Sequence, residues 1–269
     1  MKSQSELNWV FVLVAGAIIL AFFTGFAFKY KAMQEEKLAI EFVTGLDNSL
    51  TSLKTSPYAT YTEIKIPKTV EIDCNKTRID KSEFDTNNLI FSPKILKNKM
   101  LIYYKPFKTG FKVADFYFIT DENKKYNLIS DLSTKDYVEN LKNNLPEKLQ
   151  SKFTSSSSNV KNIEIKNLNN NKINIKSDTF NSQIDLNDEL VYGVIFSDDF
   201  QCLYQKVKDE TKKVSEVYEN KLSMLNNPNC NYPSFQPYLN NLKEFKLEYI
   251  SSIETLNQEL SGRNCPTLY

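Results

Sequence analysis

Histidine is absent from the chain. That one absence removes Ser-His-Asp and Cys-His nucleophilic sites, histidine general bases and the usual His-containing zinc sites. Glycine is nearly as scarce. The six glycines, Gly16, Gly25, Gly45, Gly110, Gly193 and Gly262, stand far apart, and none builds the GxGxxG or GxxxxGK[ST] loop that cradles phosphates. Excess charge of either sign is missing too: 34 basic residues against 33 acidic ones leave a formal net charge of +1, which offers no footprint for nucleic acid. The sequence therefore carries no recognisable catalytic set, no metal or cofactor site and no expectation of a nucleic-acid partner.

What the sequence does contain is a folded-protein composition, 41% hydrophobic and 13% aromatic over 269 residues, and one long apolar run. From Leu7 to Phe28 there are 22 positions without a charge, against the roughly 20 that a helix needs to cross a hydrocarbon layer of about 30 Å. Trp9 near one end and Tyr30 at the other sit where amphipathic rings favour the water interface, and Lys29 and Lys31 close the run. Gly25 and Ala27 would suit a signal-peptidase site, but a cleavable signal has an apolar core of only about 7 to 15 residues behind a basic segment. The reading is a permanent single-pass anchor whose first partner is the lipid bilayer.

Beyond the anchor, Leu38, Phe42, Leu46, Leu50 and Leu53, with Val43, recur at helical spacing between Glu35, Glu36, Lys37, Glu41 and Asp47. A helix continuing to Lys54 would be on the order of 70 Å long, with residues 29–56 serving as a stalk available for self-association. This layout resembles a type IV pilin, and Lys2-Ser3-Gln4 resembles an archaeal class III signal. Ser3 stands where that signal has a small glycine, and Glu6 lies at the third rather than the fifth position of the mature chain. The chain as a whole resembles uncharacterised, singly anchored surface proteins of small-genome archaea, with Phe200-Gln-Cys-Leu and Cys265-Pro-Thr-Leu-Tyr269 as similar runs. That resemblance implies a surface address and no activity.

The body reads as α+β. Thr62–Ile66, Thr69–Cys74, Leu89–Phe91, Met100–Tyr104, Lys112–Thr120 and Lys125–Ile129 have strand character, punctuated by Pro57, Pro67, Pro93, Pro106 and Gly110. Ser133 or Thr134 can cap a helix carrying Tyr137, Val138, Leu141 and Leu145, which Pro146 ends. Ser155 to Ser158 reads as a flexible connection that could divide residues 57–197 into two units. Val160–Leu168 and Lys172–Lys176 flank the turn signal Asn169-Asn-Asn171, and the apolar run Leu190–Phe196 reads as a buried strand. Residues 198–269 then give two helices, from Asp198-Asp199 to Leu225 and from Ser234 to Leu260, folded back about a turn at Asn226–Pro233 into an antiparallel hairpin.

Cys74, Cys202, Cys230 and Cys265 are an even, widely spaced set without CxxC, which points to disulfides. A straight hairpin puts Cys202 and Cys265 at the same end, with Cys230 about 40 Å away, so the expected bonds are Cys202 to Cys265 and, by elimination, Cys74 to Cys230. Three other motifs have plainer explanations. Asn75-Lys-Thr77 matches a glycosylation sequon by chance in an Asn-rich chain, Ser158-Asn-Val-Lys161 matches SxxK without SDN or KTG, and the acidic pairs Asp188-Glu189 and Asp198-Asp199 suit helix starts better than metal. Lysines flanking the span tilt slightly toward a cytoplasmic body, but long domains translocate regardless, and the cysteines favour an oxidising compartment. The expectation is a membrane-anchored extracytoplasmic structural or interaction protein, with another envelope protein or a second copy as partner.

Overall fold

The computed structural model describes residues 3–56, 58–80, 82–86, 88–154, 160–169, 171–225, 227 and 230–269, with side chains from Trp9 onward. Lys2, Pro57, Ser155 to Ser158, Asn170, Asn226, Pro228 and Asn229, to which the sequence assigns a signal, a strand boundary, a linker and two turns, lie outside the described residues.

Helix α1 (Ser3–Lys54) is a single run of 52 residues, about 78 Å at 1.5 Å per residue. It contains no proline and ends where Thr55 and Ser56 turn back their amides to Ser52 and Leu53. Its second half is not a free stalk. Ala39, Phe42, Leu46, Leu50 and Leu53 are buried among side chains of the body, so the apolar stripe between the charged positions is one wall of a core.

Opposite that wall stands a four-stranded sheet with the order β1 (Thr60–Lys65), β7 (Lys99–Lys108), β8 (Lys112–Asp121) and β5 (Leu89–Phe91). Strands β1, β7 and β8 are antiparallel, with Tyr104 opposite Tyr117, while β5 runs parallel to β8. Period-two alternation assigns the two faces. Met100, Ile102, Tyr104, Tyr117 and Ile119 face the α1 core, whereas Leu101, Tyr103, Phe107, Phe116 and Phe118 face a second, larger core. Both faces are covered, so the central strands read as nearly unbroken apolar runs rather than alternating ones.

A second sheet, β4 (Ser82–Asp85), β3 (Lys76–Ile79), β2 (Val70–Ile72) and β6 (Ile95–Leu96), is antiparallel throughout and closes the α1 core with Val70, Ile72, Ile79 and Leu96. The third sheet, β12 (Asn181–Asp185), β11 (Lys172–Lys176), β10 (Val160–Asn169) and β9 (Lys125–Ser130), carries the hairpin foreseen around residue 170. Here β9 pairs parallel with β10, from Val160 opposite Lys125 to Ile165 opposite Ser130. Strands from both sides of Ser155 thus share one sheet, so no domain boundary falls there. Between β9 and β10 lie α2 (Lys135–Asn143) and α3 (Glu147–Gln150). Neither Ser133 nor Thr134 caps α2 with its side chain; Asp131 instead accepts from the amides of Ser133 and Thr134, and Pro146 opens α3 rather than merely ending α2.

Leu190–Phe196 is not a strand. It forms most of α4 (Asp188–Phe196), started by Asn187, whose side chain accepts the Leu190 amide at 3.0 Å. All seven residues are buried. A helix enclosed on every side shows no polar stripe, and periodicity alone cannot separate that case from a buried strand. Gly193 permits the enclosure, because a Cβ there would lie 2.8 Å from the Phe200 ring and 2.9 Å from that of Phe91.

The C-terminal helices are a layer on this body rather than a separate hairpin. In α5 (Phe200–Met224), Phe200, Leu203 and Val207 enter the larger core, and the Phe200 ring lies 6.2 Å from that of Phe91. The return helix is broken into α6 (Gln236–Lys243) and α7 (Ile250–Gly262). Phe245, at φ +58°, turns the chain between them, an uncommon conformation for a bulky residue. The second reversal changes where the C-terminal end of the chain lies.

Candidate functional site

The first half of α1 has no counterpart in the body. Every described residue from Trp9 to Phe28 is exposed or, at Ala15, half-buried, and the apolar side chains point to all sides of the helix, with Phe11 75% and Phe22 72% exposed. It is the one helix among the described residues long and apolar enough to cross a membrane. Trp9 and Tyr30 are 21 residues apart, about 32 Å along the axis, which matches the hydrocarbon thickness of about 30 Å. Thr24, the lone hydroxyl of this stretch, donates to the Leu20 carbonyl at 2.7 Å, so that hydroxyl is not left bare there. Lys29, Tyr30 and Lys31 follow, all three exposed.

The second half of α1 is fixed to the body at both ends. Tyr117 donates its hydroxyl to the Leu50 carbonyl at 3.1 Å, and Lys54 pairs with Asp115 at 3.4 Å. At the other end Lys68 bridges Glu35 at 3.2 Å and Asp80 at 3.0 Å. Those two carboxylates, through their hydrogen bonds, hold the Lys68 amine above its ordinary pKa.

The cysteines pair as Cys74 with Cys202 and Cys230 with Cys265, at Cα separations of 6.1 and 5.9 Å. The pairings expected from a straight hairpin, Cys202 with Cys265 and Cys74 with Cys230, are therefore wrong. The break at Phe245 is the reason. Because α7 turns again after α6, Cys265 arrives at the C-terminal end of α5, beside the segment that carries Cys230, where the Tyr232 hydroxyl donates to the Pro266 carbonyl and Lys221 to that of Leu268. Cys202, at the start of α5, is left facing the β2–β3 turn. There Asp199 accepts the Cys74 amide at 3.3 Å and Lys206 donates to the Cys74 carbonyl. The ligand atoms of Cys74, Asp199 and Cys202 lie within 4.8 Å of one another, but both sulfurs are joined in the disulfide and offer no thiolate to a metal.

Beside Cys230 opens a cleft of about 750 Å³, lined by Glu219, Tyr232, Gln236 and Arg263 among others. Its carboxylate is engaged: Glu219 accepts from Lys243 at 2.8 Å and from Gln236, which keep it below the usual carboxylate range. Ser223 donates to the Asn220 carbonyl. Among the described residues the cleft thus shows no nucleophile next to a base.

The remaining motif residues are absorbed by the fold. Lys161 is half-buried, and desolvation lowers its pKa, yet its amine meets the carbonyls of Val194 and Ser197 and the Asp198 carboxylate at 3.2 Å. Asp198 also accepts the Lys94 amide at 3.0 Å. Asp188 accepts from Tyr137 at 3.0 Å, and Glu189 pairs with Lys105 at 2.9 Å. Asn75 is exposed in the β2–β3 turn, while Thr77 is buried and bonded to Thr86. What sequence reading missed is the set that ties α1 to the body, Glu35, Lys68, Asp80 and Tyr117, since contacts between distant segments leave no local pattern. Compared with protein-family models, with curated proteins and with solved structures, the chain finds no match.

Proposed function

We propose that the protein is a single-pass, membrane-anchored structural or interaction module, which holds a disulfide-linked α+β body at the outer surface of the cell membrane. The observation that carries this reading is the division of α1: one half apolar on every side and bare, the other half built into the core of the body. A helix apolar all round needs a non-aqueous surrounding, and a helix continuous with the core transmits its position to the body without a flexible joint. Two disulfides supply the argument for side, because such bonds persist in oxidising compartments. Extraction of native membranes with alkaline carbonate tests the anchor: the protein is expected in the pellet, and its release into the supernatant would overturn the reading.

A filament subunit is the second reading, favoured by the same bare half-helix, which could pack against copies of itself instead of lipid. It differs from the first in its processing. A mature chain beginning at Gln4 supports filament assembly, whereas an intact Met1 supports the simple anchor, and N-terminal sequencing of the native protein separates them. The stripe at Ala39 to Leu53 contributes nothing to self-association in either case, because the protein's own sheets cover it.

A further inference from the structure

The geometry points to the membrane-facing end of the body as a docking surface for anionic lipid headgroups. This rests on the anchoring reading and adds to it a second, electrostatic contact with the bilayer.

The rigid attachment of α1 fixes the height of that surface. Lys68 meets Glu35, and Glu35 lies five residues, about 7 Å along the helix, beyond Tyr30, which marks the edge of the hydrocarbon. The headgroup layer on each side of the hydrocarbon is about 5–7 Å deep. The edge of the body therefore sits at headgroup height. The residues sharing that edge follow from register. Lys65, at the end of β1, stands opposite Lys99 at the start of β7; Ile66 donates to the Asn98 carbonyl at 2.7 Å and Glu122 to that of Lys99 at 3.2 Å. Lys97 follows Leu96, the partner of Val70, and Lys124 sits in the turn that Asp121 caps after β8.

Charge at this end is unbalanced. Lys68 is shared between Asp80 and Glu35, Lys99 and Lys148 together hold Glu63, and Asp121 is buried and accepts the amides of its own turn. Among the described residues no ion pair engages Lys65, Lys97 or Lys124. With Lys29 and Lys31 on α1 they outnumber the acids at this end that no ion pair engages among the described residues, Glu36, Glu71 and Glu122. A near-neutral chain thus presents a local cationic face where the anchor leaves the membrane, and anionic headgroups attract lysines only within about a Debye length of the surface.

The full chain in nanodiscs tests this. Acetylation rates of individual lysines, read by mass spectrometry, are compared between discs of phosphatidylcholine alone and discs containing phosphatidylglycerol. Lys65, Lys97 and Lys124 are expected to react roughly threefold or more slowly in the anionic discs, with the protection lost near ~0.5 M salt. Lys212, exposed on α5 at the end where Lys206 meets the β2–β3 turn, serves as the internal control and should not change. Equal rates for the three lysines in both discs would overturn the docking while leaving the anchor standing. A chain that enters neither disc overturns the anchor, and the docking with it.

Discussion

Cys230 and Cys265 close a loop with a sequence separation of 35, and Cys74 and Cys202 one of 128. The chain-entropy model gives each bond roughly 4–5 kcal/mol, although measured values often fall lower. Replacing Cys230 and Cys265 together by serine should lower the unfolding midpoint of the detergent-solubilised chain, and peptide mapping of unreduced wild type should recover the 74–202 and 230–265 links, a 202–265 link being the contrary result. The four cysteines are legible in the sequence as a bonded set, but their partners are not. Partner choice hangs on Phe245, an ordinary aromatic at φ +58° with no Gly or Pro to announce the turn. Gly193 makes a second residue-scale prediction. Gly193→Ala would drive a methyl into the Phe91 and Phe200 rings and should cost about 1–3 kcal/mol by denaturant titration, whereas Gly262→Ala, with open space around it, should not. Asp131 makes a third. Its carboxylate accepts from the Ser133 hydroxyl, the Asn167 amide and Thr134, which hold its pKa below the ordinary value. A depressed pKa stabilises the fold above the unfolded value of about 3.9 and is lost as pH falls through the folded one. The stability gap between wild type and Asp131→Ala should therefore be full at pH 7 and narrow below about pH 4.

Among the elements, β8 and the first half of β7 were legible from their aromatic and branched runs, whereas β7 continues through Pro106, read as a break, to Lys108. Their burial on two faces was not legible. Only the alternation of Met100, Ile102 and Tyr104 toward α1 with Leu101 and Tyr103 toward the larger core reveals it. The same enclosure hid α4, whose seven buried residues offer no stripe by which a helix is recognised. For α1 the periodicity was plain and the use of it was not, since an amphipathic stripe looks alike whether it faces a partner copy or its own sheet. Leu46→Ala should therefore behave as a core truncation, costing about 2–5 kcal/mol of body stability, while Ile40→Ala on the exposed side of the same helix should leave the unfolding midpoint nearly unchanged.

At the scale of the whole molecule, α1 links two environments in one rigid element. Its bare half suits lipid and its buried half completes the smaller core, so the body cannot swing freely from the anchor as it could on a flexible stalk. The α+β class was readable from the order of strand and helix signals, but the division into stalk, domain and hairpin dissolves in three dimensions. One sheet joins both sides of Ser155, and Cys74–Cys202 joins the β2–β3 turn to α5. The central claim is an inserted helix with the body held outside. Treating intact cells with a membrane-impermeant amine-reactive biotin, then isolating the carbonate-resistant membrane fraction, tests it most directly. Exposed body lysines such as Lys212 should carry biotin in that fraction before lysis; labelling that appears only after the cells are opened would contradict the account.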